Sequence, residues 1–305
     1  MWTASNAYSR PDRIAPATRE RILAAAVAIG YRGPDPAARS LALGRTRVIA
    51  LVSEGAAEPL LADPAATLVA RGLVHSCDGA GVGVLLTGAL GSAPVDGAVL
   101  LRSLPGGPAP AHPVVLVDAP PAAGVPTLRA DVAGAGATLA RHLRDLGHRD
   151  LAVLSWPGAG ERLEGARYGW GDAGPLTTYL AGGPAARQGP TRADGEAVAQ
   201  VALAGSTRPT AILALSDFLA RGALDAARTL GLAVPGDLSV AGIDDLEGSD
   251  ALRLTTAFVP YLPLGELAGD VLAALVDGGA PDIPPPLPTI LTLRGTTGPP
   301  PRPTA

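Results

Sequence analysis

Polar residues that directly follow apolar runs are the groups best placed to hold a ligand. In open parallel sheets, ligands sit beyond the carboxyl ends of the strands. Four such places stand out. Ser53 and Glu54 follow Val48–Val52, and Asp131 follows Thr127–Arg129. Ser216 and Asp217 follow Ala211–Leu215, and Asp244 and Asp245 follow Leu238–Ile243. Hydroxyls and carboxylates accept hydrogen bonds from a hydroxyl-rich ligand. Asp217 also stands where a helix over 218–231 would take its N-cap, so cap and ligand roles are both open. Neighbouring residues at a strand end point in different directions. One of Asp244 and Asp245 is therefore expected to meet a ligand and the other to serve a turn or cap. The same divergence argues against paired acid/base catalysis.

Other chemistries are excluded by residue type. The 305 residues contain no lysine, so a Walker loop cannot form. Gly79-Ala80-Gly81-Val82-Gly83 and Gly134-Ala135-Gly136 lack the third glycine of a dinucleotide fingerprint. No Gly-x-Ser-x-Gly elbow is present. Cys77 is the only cysteine, which excludes a disulfide framework and multi-cysteine metal sites within one chain. His142 and His148 flank a packed helix end and read as structural, while His75 and His112 have no partner pattern. The expectation is a protein that is not an enzyme, with no cofactor and no metal site. No signal peptide opens the chain and no apolar run nears the ~20 residues of a membrane span, so a cytoplasmic protein is expected.

The elements that must position these groups alternate in type. Val48–Val52, Val82–Leu86, Val95–Leu101, Val114–Val117, Leu151–Leu154, Ala211–Leu215 and Leu238–Ile243 read as buried parallel strands. Helical periodicity lies between several of them, most clearly at 133–147, 218–231 and 264–276. This predicts an α/β protein of doubly wound parallel-sheet lobes. Spans 48–130 and 150–255 each hold one layer; the helix at 264–276 and a strand near 288–294 could return to either. The segment 88–94 is too short for a helix between strands. Residues 296–305 are rich in proline and predicted to be disordered.

The front of the chain differs from the body. Residues 1–47 hold eight arginines against three carboxylates, a net of +5, and the remainder carries −9. A basic front on an acidic body points to a polyanion partner for the front, or to a solvated basic tail. Residues 16–29 read as a helix opened by Pro16, weakly capped by Ala15 and stopped by Gly30. Ala37–Leu43 can form a short helix closed by Gly44. Alone it falls far below the ~12–15 residues an isolated helix needs.

Taken in order, several motifs resemble the LacI/GalR family of bacterial transcriptional repressors. They are Ala17-Thr18-Arg19-Glu20-Arg21 through Gly30-Tyr31, then Pro36-Ala37-Ala38-Arg39-Ser40-Leu41 with Gly44-Arg45-Thr46. Asp131 with Gly134-Ala135, and His142-Leu143 with Leu146-Gly147-His148-Arg149, follow. Ser216-Asp217, Val234-Pro235-Gly236-Asp237-Leu238-Ser239-Val240 and Gly242-Ile243-Asp244-Asp245 complete the series, with Leu254-Thr255-Thr256 and Leu287-Pro288 at its end.

The resemblance implies a helix-turn-helix headpiece and hinge over 1–46 and a two-lobed, periplasmic-binding-protein-like effector and dimerisation unit over 47–295, ahead of the proline-rich tail over 296–305. It implies a homodimer whose affinity for operator DNA changes when a small effector binds between the lobes. Thr3, Ser5 and Asn6 then match the recognition helix. Hydroxyls suit phosphates, and an Asn amide can pair with an adenine edge. Leu41 matches the hinge leucine that wedges into the minor groove, with Arg39 near phosphates. Arg162 resembles the effector-binding arginine. With Ser53, Asp131, Asp217 and Asp244 it would suit a sugar or nucleoside. Where the family places aromatic residues after the first strand, Gly55-Ala56-Ala57-Glu58-Pro59-Leu60-Leu61 stands instead, which makes that wall aliphatic. The match starts inside the recognition helix, so the headpiece is expected to be partial. Two readings follow: a ligand-responsive regulator, or a cytoplasmic ligand-binding protein that has lost DNA binding.

Overall fold

The computed structural model describes residues 7–8, 13–31, 44–53, 58–91, 93–102, 112–182, 189–205 and 208–302. Near the front, helix α1 (Pro16–Ala28) takes Pro at its first position, and Ala15 gives it no side-chain cap. The predicted hinge helix at 37–43 lies outside the described residues.

Two sheets make the body. The first has strand order β2-β1-β3-β4-β5, built from β1 (Val48–Ser53), β2 (Gly83–Thr87), β3 (Gly97–Leu101), β4 (Val114–Val117) and β5 (Thr127–Leu128). All its pairings are parallel. The second is ordered β11-β10-β9-β8-β6-β7. It is built from β6 (Leu151–Ser155), β7 (Leu176–Leu180), β8 (Ala211–Ala214), β9 (Ser239–Asp244), β10 (Thr255–Phe258) and β11 (Ile290–Thr292). Only β11 runs antiparallel, on the edge.

The second sheet is clad on both faces. Leu151, Val153, Leu213 and Ile243 pack with α4 (Val132–Asp145) and α5 (Gly160–Trp170). Ala152, Leu154, Ile212 and Val240 pack with α6 (Arg192–Leu203) and α7 (Asp217–Thr229). The first sheet buries Leu51, Val99 and Val115 under α3 (Pro64–Asp78) and α8 (Tyr261–Val276), with the short α2 (Glu58–Ala62) beside α3. Its other face, with Ala50, Ala98, Leu100 and Leu116, is covered among the described residues by loop side chains such as Leu90, Ala93, Ala122 and Val125. The 88–94 connection carries no helix among its described residues, as its length predicted.

The chain crosses between lobes three times. It passes from β5 to α4, from β10 to α8, and from α8 back to β11. Thus α8 returns to the first lobe and β11 to the second, which settles an assignment the sequence left open. The first and third crossings are tied together. Leu287 N–H donates to the Arg129 carbonyl and Asp131 N–H to the Leu287 carbonyl, both at 2.8 Å.

The predicted disorder of the tail is corrected over 296–298. Thr296 is buried, its carbonyl accepts from Val240 N–H, and its Oγ1 accepts from Thr255 N–H. Buried His148 holds Thr210 through one ring nitrogen and the Gly298 carbonyl through the other. Backbone groups of Gly298 pair with the hydroxyl of Ser239 as well. Composition misled here because polar partners on β9 and β10 hold the segment where apolar burial does not. Among the described residues, no helix is long and apolar enough to cross a membrane.

Candidate functional site

Arg162 lies in the first turn of α5. That helix packs backbone to backbone on α4, since a Cβ on Gly165 would sit 1.9 Å from the Ala133 carbonyl oxygen. Held this way, Arg162 reaches the carboxyl ends of β8 and β9. Its Nη1 donates to the Leu215 carbonyl at 2.7 Å and lies 2.9 Å from Asp244 Oδ1. Its Nη2 donates to the Tyr261 oxygen at 2.8 Å, and the Tyr261 hydroxyl donates to Asp244 Oδ1 at 2.7 Å. All three side chains are buried. The guanidinium carbon stands 5.4 Å from the centre of the Trp156 ring, a cation–π distance.

Burial is the largest single influence on Arg162 and opposes its charge, but the Asp244 carboxylate, Tyr261 and Asp118 together outweigh it and raise the pKa. Burial pushes Asp244 above the ordinary carboxylate value, against the pull of Arg162. The two form an ion pair in a dry place, where its stability depends on good hydrogen bonding. Tyr261 supplies that bonding to both.

The first lobe faces this cluster with its own charges. Arg102 directly follows β3, and its Nη2 lies 2.5 Å from Asp63 Oδ2 and its Nε 3.6 Å from Asp118 Oδ2. Asp118 directly follows β4, and Asp63 caps α3 through the Ala65 N–H. Proximity across the gap shows in the electrostatics. Asp118 adds to the rise at Arg162, and Asp63 adds to the rise at Asp244. Six described residues other than glycine have positive φ, and four of them are here: Arg102 (67°), Asp118 (52°), Asp244 (121°) and Asp245 (55°). Such strain often clusters at functional sites, where the surrounding structure holds it in place.

The predicted positions fare differently. Arg162 and Asp244 come together. Ser53 ends β1 in register with Leu101, one residue before Arg102. Asp245 turns away and pairs with Arg294, Nη1 to Oδ1 at 2.7 Å. Asp131 is exposed, and its Oδ1 accepts from Gly134 N–H as the N-cap of α4, so it takes no part in the cluster's bonds. Asp217 needs a clear correction. Ser216 is the cap of α7, accepting from Leu219 N–H, and Asp217 is fully buried below it. Asp217 accepts from Leu246 N–H (2.9 Å), Ser249 Oγ (2.6 Å) and Thr256 Oγ1 (2.6 Å). Its oxygens are spent on bracing the loop beyond Asp244. Thr3, Ser5, Asn6, Arg39 and Leu41 lie outside the described residues.

Arg102, Asp118, Trp156, Asp63 and Tyr261 were not anticipated. The first two follow apolar strands directly, so the rule that found Asp244 also selects them. Tyr261 was hidden because α8 begins three residues before the periodicity at 264–276.

The site therefore offers two guanidiniums, three carboxylates, a phenol and an indole face between two lobes. These groups can exchange hydrogen bonds with a ligand, and among the described residues of the cluster no nucleophile is paired with a base. The periplasmic binding protein-like domain matches residues 140–297. An HTH-type transcriptional regulator of Mycolicibacterium smegmatis is 36% identical, covering 98% of this chain and 93% of that protein. One from Mycobacterium tuberculosis is 34% identical over the same shares. The crystal structure of the lac repressor dimer bound to operator and the anti-inducer ONPF superposes with a TM-score of 0.81 at 23% identity, covering 97% of this chain and 95% of that one. A two-lobed body with its ion-pair cluster between the lobes, and relatives that match it along nearly their whole length, place this chain in the LacI family of HTH-type transcriptional regulators.

Proposed function

We propose that the chain is a repressor, active as a homodimer. Its affinity for operator DNA is set by a neutral, hydroxyl-rich molecule, a sugar or nucleoside, bound between the lobes. The observation that supports this most is the Arg162–Asp244–Tyr261 cluster with Arg102 and Asp118 facing it. Each guanidinium already has a carboxylate beside it, so the site has no spare positive charge for a phosphate. Hydroxyl groups can exchange with these internal bonds one for one, donating to carboxylates and accepting from guanidiniums. The lac repressor neighbour holds operator and a small molecule together; the same pairing is proposed here. Operator contacts are assigned to Thr3, Ser5, Asn6, Arg39 and Leu41, and no turnover of the ligand is expected. Effector binding would change the lobe angle, and with it the spacing of paired hinges in the dimer.

Calorimetry of the full chain against monosaccharides, disaccharides, nucleosides and sugar phosphates tests this reading. Saturable binding of a neutral compound, lost in Arg162→Ala, is the expected result. Binding confined to the phosphorylated compounds would overturn the neutral-ligand assignment. Equal binding by Arg162→Ala would move the site elsewhere.

A further inference from the structure

Residues 44–47 join the basic front of the chain to β1, and the body grips them at several points. Asp96 holds three groups with one carboxylate. Its Oδ1 accepts from Thr46 N–H at 2.7 Å and from Thr46 Oγ1 at 2.9 Å, and its Oδ2 accepts from Arg47 N–H at 2.7 Å. Bonds of this charge-assisted kind are about twice as strong as neutral ones. Arg47 sits at φ 57°, a left-handed conformation that needs outside support in a residue other than glycine. Its guanidinium donates to the Ala80 carbonyl, in the turn before β2. Arg45 reaches the far end of α8. There its Nη1 lies 2.5 Å from Asp277 Oδ1 and its Nη2 donates to the Val276 carbonyl at 3.1 Å. A cation at a helix C-terminus is favoured by the aligned peptide dipoles.

These anchors have a shared geometry. Asp96 immediately precedes β3, which ends beside Arg102. Asp277 immediately follows α8, which begins at Tyr261. At 1.5 Å per residue the 16 residues of α8 span about 24 Å. The helix packs backbone to backbone on α3, since a Cβ on Gly265 would lie 2.1 Å from the Val69 carbonyl oxygen. The effector cluster and the linker thus sit at opposite ends of the same packed elements.

We propose that Asp96 and Asp277 are positioning residues that fix the linker to the first lobe, so that the DNA-reading end turns as that lobe turns. Asp96 is the main anchor. The Arg45–Asp277 pair is largely exposed, and exposed pairs contribute little. The proposal rests on the ligand-responsive regulator described above, yet its test needs neither ligand nor DNA, so the two can fail separately.

Amide exchange at Thr46 and Arg47, and tryptic cleavage after Arg45 and Arg47, are measured on the full chain. Asp96→Ala is expected to speed both about tenfold, with β1 and β3 at wild-type protection. Asp277→Asn gives a smaller rise, about twofold, confined to Arg45. Asp96→Asn keeps one acceptor oxygen and falls between Ala and wild type. Unchanged exchange and cleavage in Asp96→Ala overturn the proposal. So does a rise that spreads equally into β1 and β3, since Asp96 would then brace the lobe as a whole. If Asp96→Ala does not fold, Asp96→Asn decides by the same criteria: a rise limited to the linker supports the anchor, and none refutes it.

Discussion

Asp217 and Asp244 lie at the carboxyl ends of neighbouring strands in the second lobe, and both are buried. Their surroundings differ in kind. Asp217 is satisfied by one amide and two hydroxyls. Asp244 is satisfied by an arginine and a tyrosine that come from α5 and α8. The first set belongs to the same lobe and locks a loop. The second set joins the lobe to the crossing point, and in the proposed function a ligand's hydroxyls take its place. Position at a strand end therefore nominates a carboxylate, and the source of its partners is what separates the bracing role seen at Asp217 from the binding role proposed for Asp244.

The sharpest break of this comparison is Asp217→Ala. It strands the Leu246 amide and the Ser249 and Thr256 hydroxyls away from water. The expected loss of stability is about 4 kcal/mol, read by urea unfolding. Protein that remains folded should bind the best compound of the calorimetric panel within about threefold of wild type. A large loss of affinity with little loss of stability would make Asp217 a binding residue after all.

Asp244→Asn should show the reverse. The amide oxygen still accepts from Tyr261, so stability falls by about 2 kcal/mol as Arg162 loses its counter-charge. Affinity for the panel's best compound should fall about 100-fold, roughly 3 kcal/mol, because charge-assisted bonds to the ligand are lost. Unchanged affinity would leave the cluster as a lobe fastener only.

A pH profile separates the two carboxylates further. Burial first, and the Asp244 charge second, push Asp217 up to about 7. An unfolded aspartate titrates near 3.9. Between these values the folded state binds a proton that the unfolded state does not, so stability falls as pH rises through that window. From pH 5 to 6.5 the contribution of this group should drop by about 2 kcal/mol, then level off above 7. Asp217→Asn should flatten that part of the curve; an identical slope in both proteins would place the titration elsewhere.

How much of this was legible in the chain follows from the same distinction. Long apolar runs announced β1, β4, β6, β8 and β9, because strands buried on both faces are continuous in hydrophobicity. Helices α5 and α6 were silent. They pack through Gly165, Gly169 and Gly195, whose missing side chains allow close approach and leave no periodic stripe. Strand β10 is too short to stand out, with Thr255 and Thr256 buried against Thr296 and Asp217. Arg162 was legible through the family resemblance, and Asp244 through its place directly after an apolar run. Arg102 and Asp118 were legible through their places directly after β3 and β4. The partners of Asp217 were not legible at all, since nothing local couples position 217 to 246, 249 and 256. Long-range hydrogen bonds of this kind appear only once the lobe is assembled.

The finest distinction concerns Trp156, which follows β6 as Asp244 ends β9. If its ring serves only Arg162, then Trp156→Leu should cost about 1 kcal/mol of stability, the usual size of a partly buried cation–π contact. Affinity would then change by less than about threefold. If the ring also faces the ligand, Trp156→Leu should weaken binding about fivefold or more, and a ligand-induced change in tryptophan fluorescence should vanish in Trp156→Phe while calorimetric binding persists. Trp170 is fully buried, with its Nε1 donating to the Gly174 carbonyl, so it is a poor reporter of that site. Persistence of the fluorescence change in Trp156→Phe would place Trp156 with Asp217, among the groups that hold the binding residues in position. Its loss would place Trp156 with Asp244, in the part of the second lobe that a ligand touches.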